Sequence, residues 1–230
     1  MNIKPILFNT EMVQAILDGR KTCTRRVLKR PFEVHPNGYI TKPRGNERLC
    51  PYIPPYQSGD VLYVRETWCK DSCGDEKEKY YYKADDSRFF HRWRPSIHMP
   101  KEAARIWLKV KNVRAERLQN IDIDGIRNEG LSSAAVHCGD MEIALKEWEI
   151  LWNSTIKKSD LDRYGWDANP WVWAIKFQRC EKPPKCILKG YDKAPDDGSE
   201  KCLGYMYDNR DELLPMCEKC SYQASYESEE

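Results

Sequence analysis

A dense group of basic and hydroxyl side chains lies between Gly19 and Arg26. The longer stretch from Gly19 to Arg48 contains nine Lys or Arg residues and only two Glu residues. Surfaces that bind phosphate groups need such a density of cations, because each phosphate that they neutralise releases a counterion. A solvated basic loop without a ligand is the alternative interpretation of the same composition.

Lys21 and Thr24 lie three residues apart within this segment, and the pair could carry nucleophilic chemistry. In a regular strand the two side chains would point to opposite faces, so a turn or bulge would be needed to bring them together. A Lys side chain that is desolvated near a hydroxyl can lose its proton and act as a base for that hydroxyl. Cys23 also has basic neighbours that could activate its thiol, and we treat it as incidental.

The second chemically informative segment is the Cys-containing end of the chain. Five of the ten cysteines follow residue 179, and the spacing of Cys217 and Cys220 suits two ligands of one tetrahedral zinc ion. Cys186 and Cys202 are the predicted remaining ligands, and Cys180 is an alternative to Cys186. A tail of about 50 residues without a hydrophobic core would need such a staple in order to fold. A disordered tail with free thiols, and disulfide or redox use, remain open as alternatives.

The elements that would position these residues follow from the apolar periodicity. A strand over residues 6–8 is followed by a helix that Thr10 would cap and that ends at Gly19. Residues 31–58 contain six prolines and are predicted to form a long loop. Later segments predict strands over residues 61–68, 80–83 and 106–110, a helix over residues 141–152 and a strand over residues 171–177. This order favours an α+β domain with a small mixed barrel over a doubly wound sheet.

The charge distribution divides the chain of 230 residues into two parts. Its net charge of +2 is the sum of +7 for residues 1–180 and −5 for residues 181–230. The division coincides with a change in composition, because two consecutive prolines and no apolar periodicity follow the last predicted strand. We therefore predict one folded domain at residues 1–180 and an acidic, Cys-containing tail at residues 181–230.

Several classes of protein are excluded by the same composition. A content of 40% hydrophobic and 11% aromatic residues is too high for a disordered chain. No run of 18 apolar residues occurs, which excludes a membrane-spanning helix. The first residues lack the basic region and apolar stretch of a signal peptide, so we expect a cytoplasmic protein whose cysteines are reduced or bind metal.

The segment Gly19-x-Lys21-x-x-Thr24-x-Arg26 resembles the G-x-K-x-x-T-x-R signature of ASCH-domain proteins. Four other blocks in the same order resemble phage-encoded members of that family, and these are residues 4–9, 59–68, 94–100 and 166–173. The resemblance extends over residues 3–180. It implies a PUA-like mixed β-barrel flanked by helices, which needs no cofactor.

The resemblance also implies a reaction. A small bacterial branch of the ASCH family hydrolyses the acetyl amide of acetylcytidine, and the residues proposed for it correspond to Lys21, Thr24 and Glu66 here. Thr24 would attack the acyl carbon, Lys21 would accept its proton, and Glu66 would relay that proton or hold Lys21. The alternative for Glu66 is an ion pair with Arg65, Arg26 or Lys21 that stabilises the fold.

RNA or nucleoside binding without catalysis is the competing prediction. An ASCH domain offers a surface on which bases stack on aromatic rings while Lys and Arg follow the phosphates. The predicted ligand-binding residues are Arg26, Arg65, Trp68, Arg94 and His98. A hydrogen-bonded loop histidine is the alternative for His98, and a phage-associated interaction module is a third interpretation of the whole domain.

Overall fold

A computed structural model describes residues 2–29, 32–35, 40–44, 48–71, 79–85 and 92–183 of the chain. Its strands and α-helices, in chain order, are β1 (Ile3–Leu7), α1 (Thr10–Leu17), β2 (Cys23–Val27), β3 (Glu33–Val34), β4 (Ile40–Arg44), β5 (Arg48–Pro51), β6 (Val61–Arg65), β7 (Trp68–Asp71), β8 (Lys79–Tyr82), β9 (Trp107–Arg117), α2 (Ile123–Asn128), α3 (Ala134–Cys138), α4 (Met141–Thr155), α5 (Leu161–Tyr164) and β10 (Trp171–Cys180). The predicted α+β class is confirmed.

A five-stranded mixed sheet forms the centre of the described domain. Its strand order is β1-β6-β9-β10-β2, with β1 parallel to β6 and every other pair antiparallel. The long pairing of β9 with β10 brings together segments that are about 60 residues apart in sequence. A register shift between Lys176 and Phe177 interrupts it.

Within the described residues, this sheet is open. The edge strands β1 and β2 each pair with one neighbour, so the predicted closed barrel is not confirmed. One side chain joins the two edges, because Arg26 Nη2 donates a hydrogen bond of 2.6 Å to the carbonyl oxygen of Leu7.

The proline-rich segment is more regular than its composition suggests. Strands β3, β4 and β5 form a small antiparallel sheet in the region predicted to be a long loop, so that prediction is wrong for these strands. Proline is compatible with this arrangement because, among the described residues, β3 pairs with Ile40 and Thr41 of β4 and Pro43 pairs with β5 alone.

Helix α1 leads the chain from β1 to β2. Asn9, rather than the predicted Thr10, caps it, because the Asn9 side chain accepts a hydrogen bond of 2.9 Å from the Met12 amide. Gly19, where the sequence predicts the helix end, follows the helix with φ of +76°, a conformation that glycine adopts without strain. The buried face of α1 places Val13 and Ile16 against the sheet.

Three apolar clusters stabilise the described domain. The largest lies between α1 and one face of the central sheet, with Ile6, Phe8 and Ile175 among its members. A second cluster, which contains Trp148 and Trp152, lies beneath α2, α3 and α4. The third contains Trp68, Met99 and Trp107.

The last described strand ends at Cys180, beside the predicted domain boundary. The predicted zinc ligands Cys186, Cys202, Cys217 and Cys220 lie outside the described residues. No helix in the described part of the chain is long and apolar enough to cross a membrane.

Candidate functional site

The segment that carries the predicted signature forms the end of α1, a short connection and edge strand β2. The alternation of a strand places Cys23 and Arg25 on one face of the sheet and Thr24 and Arg26 on the other. The partners agree with this assignment, since Cys23 and Arg25 line a surface pocket whereas Thr24 pairs with Ile175 of the largest apolar cluster.

Lys21 is held by a residue far away in sequence. Its Nζ donates hydrogen bonds to Glu129 Oε2 at 2.6 Å and to the Glu129 carbonyl oxygen at 2.9 Å. Both side chains are buried, with exposed fractions of 1% and 3%. Arg25 also binds Glu129 at 3.1 Å and reaches Glu116 at 2.7 Å. Glu129 therefore neutralises two buried cations.

Thr24 is buried, and its hydroxyl makes no hydrogen bond to the described residues. The side-chain hydrogen bonds of Lys21 in the described part of the chain both end on Glu129. Lys21 and Thr24 are therefore neighbours in sequence that are not joined by a hydrogen bond.

Glu66 lies directly after β6 and is 1% exposed. Its two carboxylate oxygens accept hydrogen bonds of 2.9 Å each from Arg105, which also binds Asp85 at 2.6 Å. Burial raises the pKa of Glu66, and the Arg105 guanidinium opposes this rise. The partner of Glu66 is thus Arg105, and not the Arg65, Arg26 or Lys21 that the sequence suggested.

Arg26 lies on edge strand β2 and contacts the other edge strand, β1, through its side chain. Besides its hydrogen bond to Leu7, its guanidinium carbon lies 5.3 Å from the centre of the Phe8 ring. Burial lowers the pKa of Arg26, an effect that its interaction with the Tyr56 phenol opposes. No carboxylate of the described residues lies within ion-pair distance of this guanidinium. We call Phe8, Thr24, Arg26 and Tyr56 the Arg26 site.

A second group of predicted residues surrounds Trp68. The exposed Arg94 places its guanidinium carbon 5.3 Å from the Trp68 ring centre, and the backbones of the two residues exchange hydrogen bonds. Trp68 is buried, and its Nε1 has no hydrogen-bond partner among the described residues. His98 is exposed on a short 3₁₀ turn nearby in sequence.

Arg65 connects the two groups. Its carbonyl oxygen accepts a hydrogen bond of 3.2 Å from the Phe8 amide, and its Nε donates one of 2.7 Å to the Met99 carbonyl oxygen. Met99 packs in the same apolar cluster as Trp68. The end of β6 therefore lies between the Arg26 site and the Trp68 group.

A surface pocket of about 360 Å³ lies on the opposite face of β2. Its lining is polar and consists of Cys23, Arg25, Arg114, Asp122, Asp124, Gly125, Arg127, Asn128 and Lys176. Burial, with a further contribution from Glu129, raises the pKa of the Cys23 thiol to about 11. The basic neighbours of Cys23 therefore do not activate its thiol.

The sequence does not predict Glu129 and Arg105 as partners of the candidate site residues. Each neutralises a buried predicted site residue across a long sequence separation. No local sequence signal identifies either residue as such a partner, because the sequence separations are 108 and 39 residues. Within the described ranges, no group of three or more His, Cys, Asp or Glu residues is arranged to hold a metal ion.

Comparisons with known proteins give distant structural similarity alone. No protein-family model and no curated protein matches the sequence. A crystal structure of a hypothetical protein is 13% identical, with a TM-score of 0.36 over 78% of this chain and 100% of its own. The structure of an ASCH domain from Lactobacillus crispatus JV V101 is 11% identical, with a TM-score of 0.34 over 77% of this chain and 79% of its own. Similarity at this level carries no functional argument.

Proposed function

We propose that this chain is an ASCH-type domain that binds single-stranded RNA or a modified nucleoside, and that the Arg26 site contacts the base. The observation that carries the proposal is the guanidinium of Arg26, which is partly enclosed and has no carboxylate partner among the described residues. A guanidinium offers five N–H donors, and here the Nη2 donor bonds Leu7. Enclosing a cation without a counterion is costly, so a ligand that accepts hydrogen bonds would stabilise this arrangement.

The surroundings of Arg26 suit a planar, polar ligand. Phe8 lies against the guanidinium, and the Thr24 hydroxyl on the same strand face is available as a donor or acceptor. A nucleobase combines a flat ring with carbonyl oxygens and ring nitrogens, which such a site recognises by stacking and hydrogen bonding. Arg94 above Trp68 provides a second cation and ring pair beyond the end of β6.

Hydrolysis of an acyl amide on such a nucleoside is the narrower, second candidate. It is favoured by one observation: Thr24 is a buried residue whose hydroxyl makes no hydrogen bond to the described residues. In the proposed reaction Thr24 would attack the acyl carbon and Lys21 would accept its proton. The C–N bond would then break as Lys21 returned the proton to the leaving amine, and water would hydrolyse the acyl-threonine ester to acetate and free Thr24. Lys21 would first have to leave Glu129, and Glu66 is already bound to Arg105, so we rank binding above hydrolysis.

The binding proposal is tested by titrating labelled single-stranded oligoribonucleotides and a panel of modified nucleosides. We expect Arg26→Gln to weaken binding about tenfold, which corresponds to about 1.4 kcal/mol. Arg26→Lys retains the charge but loses the fork of donors, and should restore only part of the affinity. Arg163→Gln removes an exposed arginine of α5 and is the matched control. Equal affinities for the Arg26→Gln and wild-type proteins would contradict the proposal.

The hydrolysis candidate has a separate test. Acetylcytidine is incubated with the wild-type, Lys21→Ala and Thr24→Ala proteins, and released acetate is measured. Turnover by the wild-type protein that both substitutions abolish would support Lys21 and Thr24 as catalytic residues. Acetate release that persists unchanged in both variants would exclude that role.

A further inference from the structure

The two longest strands carry a strong excess of positive charge. Strands β9 and β10 together contain six Lys or Arg residues and one acidic residue, Glu116. One face of this strand pair packs on the largest apolar cluster, and four of the six cations lie on the other face. Arg179 lies on the cluster face, where it donates a hydrogen bond to the Leu17 carbonyl oxygen. Most of the positive charge of the two strands therefore belongs to one surface, although the whole chain is nearly neutral.

The exposed residues of this face form a line across the strand pair. Leu108, Val110, Ile175 and Phe177 belong to the largest apolar cluster, and the positions between them point outward. These exposed positions include Lys109, Lys111 and Arg114 of β9 and Lys176 of β10, which we call the basic stripe. The line from residue 109 to residue 114 is roughly 16 Å long at the usual rise of a strand.

The stripe is not neutralised by the rest of the described domain. Glu116 is engaged at both oxygens, since Arg25 binds Oε1 at 2.7 Å and Arg114 binds Oε2 at 2.7 Å. No carboxylate of a described residue lies within ion-pair distance of the three lysines of the stripe. By contrast, Arg127 of α2 is paired with Asp124. Three adjacent lysines without a carboxylate partner among the described residues make this face a candidate surface for a polyanion.

One end of the stripe enters the polar pocket on the outer face of β2. Lys176 and Arg114 line this pocket together with the buried Arg25. A Cβ atom on Gly125 would lie 3.1 Å from Arg25 Nη2, so glycine at this position gives the guanidinium room. Asp122 and Asp124 form part of the same lining, but Asp122 caps α2 and Asp124 is bound by Arg127. The pocket volume of about 360 Å³ falls in the range of small-ligand sites.

We propose that the basic stripe binds the phosphodiester backbone of a single-stranded nucleic acid, with one phosphate in the pocket beside Arg25. This inference rests on the proposed function and extends it to a surface on the opposite side of the sheet from the Arg26 site. Arg25 and Arg26 are consecutive residues that face opposite sides of β2. Because β2 is an edge strand, a nucleic acid strand that passes around it can place phosphates on one face and a base at the other.

The proposal predicts a defined salt dependence. For single strands, the logarithm of the binding constant falls with the logarithm of salt concentration by about 0.7 for each phosphate that is neutralised. Replacing Lys109, Lys111 and Lys176 by glutamine should therefore reduce the slope by about 2. These side chains are exposed, so the substitutions leave the apolar clusters unchanged.

The test is a titration of a fluorescent oligouridylate at several salt concentrations with the full-length protein. The triple variant Lys109→Gln, Lys111→Gln, Lys176→Gln should bind at least tenfold more weakly at low salt and show the reduced slope. The control variant Lys146→Gln, Lys157→Gln, Lys158→Gln has the same change in net charge on exposed lysines of another surface, and should bind like the wild type.

The Arg26→Gln variant separates this proposal from the proposed function. If the stripe variant retains the wild-type slope while Arg26→Gln loses affinity, the stripe proposal is overturned and base binding at Arg26 stands. If the stripe variant shows the reduced salt dependence while Arg26→Gln binds as the wild type does, binding at the stripe is supported and base binding at Arg26 is rejected. If the control variant shows an equal reduction in salt dependence, the effect is due to the total charge of the protein, and the stripe proposal is also overturned.

Discussion

The sequence predicts where the residues of the signature lie, but it does not predict their partners. The sequence predicts that Lys21, Thr24 and Arg26 follow the first helix, because capping, glycine and strand signals are local. It does not predict Glu129 as the partner of Lys21, which is 108 residues away. Arg105 is likewise 39 residues from Glu66. Such pairs depend on which surfaces the tertiary fold brings together, and one sequence gives no signal for them.

The shared role of Glu129 leads to a prediction about stability. Glu129→Gln removes the carboxylate that pairs with the buried Lys21 and with Arg25. Lys21→Met, by contrast, leaves Glu129 paired with Arg25. Removing one partner of a buried ion pair costs about 3–5 kcal/mol. We expect Glu129→Gln to lower the free energy of unfolding by an amount in this range, and Lys21→Met to lower it less. Urea unfolding of both variants measures these changes. A larger loss for Lys21→Met would show that Glu129 does not serve both cations.

The buried thiol of Cys23 should make stability depend on pH in alkaline solution. Burial raises its pKa from 9.0 to about 11 in the folded protein, so the unfolded chain releases this proton first as the pH rises. The wild-type protein should therefore lose stability relative to Cys23→Ala between pH 9 and pH 11, by roughly 2–3 kcal/mol at most. Urea unfolding of both proteins across this range measures the difference. Parallel curves would mean that the Cys23 thiol titrates normally in the fold.

At the scale of elements, the sequence predicts most single helices and strands but not their assembly. The predicted strand at residues 80–83 and the helix at residues 141–152 are observed within one to three residues at their ends. The small sheet at residues 33–51 is not predicted, because a proline-rich segment usually indicates a loop. Proline is tolerated at the edge of a sheet, but the sequence does not show which strands lie at an edge. The open central sheet escapes prediction for a related reason, since closure depends on pairing between strand edges.

The turn after α2 positions Glu129, and substitution of its glycine tests how closely the turn packs on α1. Gly130 has φ of +99°, and a Cβ there would lie 2.8 Å from Ala15 Cβ and 3.1 Å from Lys21 Cβ. Gly130→Ala should therefore combine backbone strain with displacement of α1 and Lys21. Gly139 also has positive φ, but a Cβ there would meet no atom within 4 Å, so Gly139→Ala isolates the backbone cost of about 1–2 kcal/mol.

We expect thermal unfolding to show a clearly larger loss for Gly130→Ala than for Gly139→Ala. The difference between the two variants measures how tightly the turn packs on α1 and Lys21. If both lose the same stability, the close approach at Gly130 is relieved by small shifts and the turn does not fix Lys21.

At the scale of the whole molecule, the predicted zinc site concerns residues outside the described part of the chain. The spacing of Cys217 and Cys220, with Cys186 and Cys202 before them, leads us to expect about one zinc ion per chain. Elemental analysis of protein purified without chelator tests this expectation, and Cys217→Ser should lower the metal content. Metal below about a tenth of an equivalent in the wild-type protein would reject a four-cysteine site.

The uneven charge distribution gives the last prediction. Residues 184–230 carry a net charge of −5, and the described chain ends beside the basic stripe, because Lys182 Nζ lies 5.8 Å from the Trp107 ring centre at the start of β9. An acidic segment attached at this point would compete with phosphates for the lysines of the stripe. Neutralising five acidic residues of this segment should therefore increase RNA affinity at low salt and make the salt dependence steeper.

The full-length variant for this test carries Asp211→Asn, Glu212→Gln, Glu227→Gln, Glu229→Gln and Glu230→Gln. Its control neutralises five acidic residues within residues 2–183, at Glu11, Glu102, Glu149, Asp162 and Asp167, and gives the same net charge. Because both variants change the overall charge equally, only a local effect of the tail can separate their affinities for an oligouridylate. Equal gains in the two variants would mean that the protein's total charge, rather than competition at the stripe, controls binding. If neither variant gains affinity, the acidic tail and the basic surface act independently.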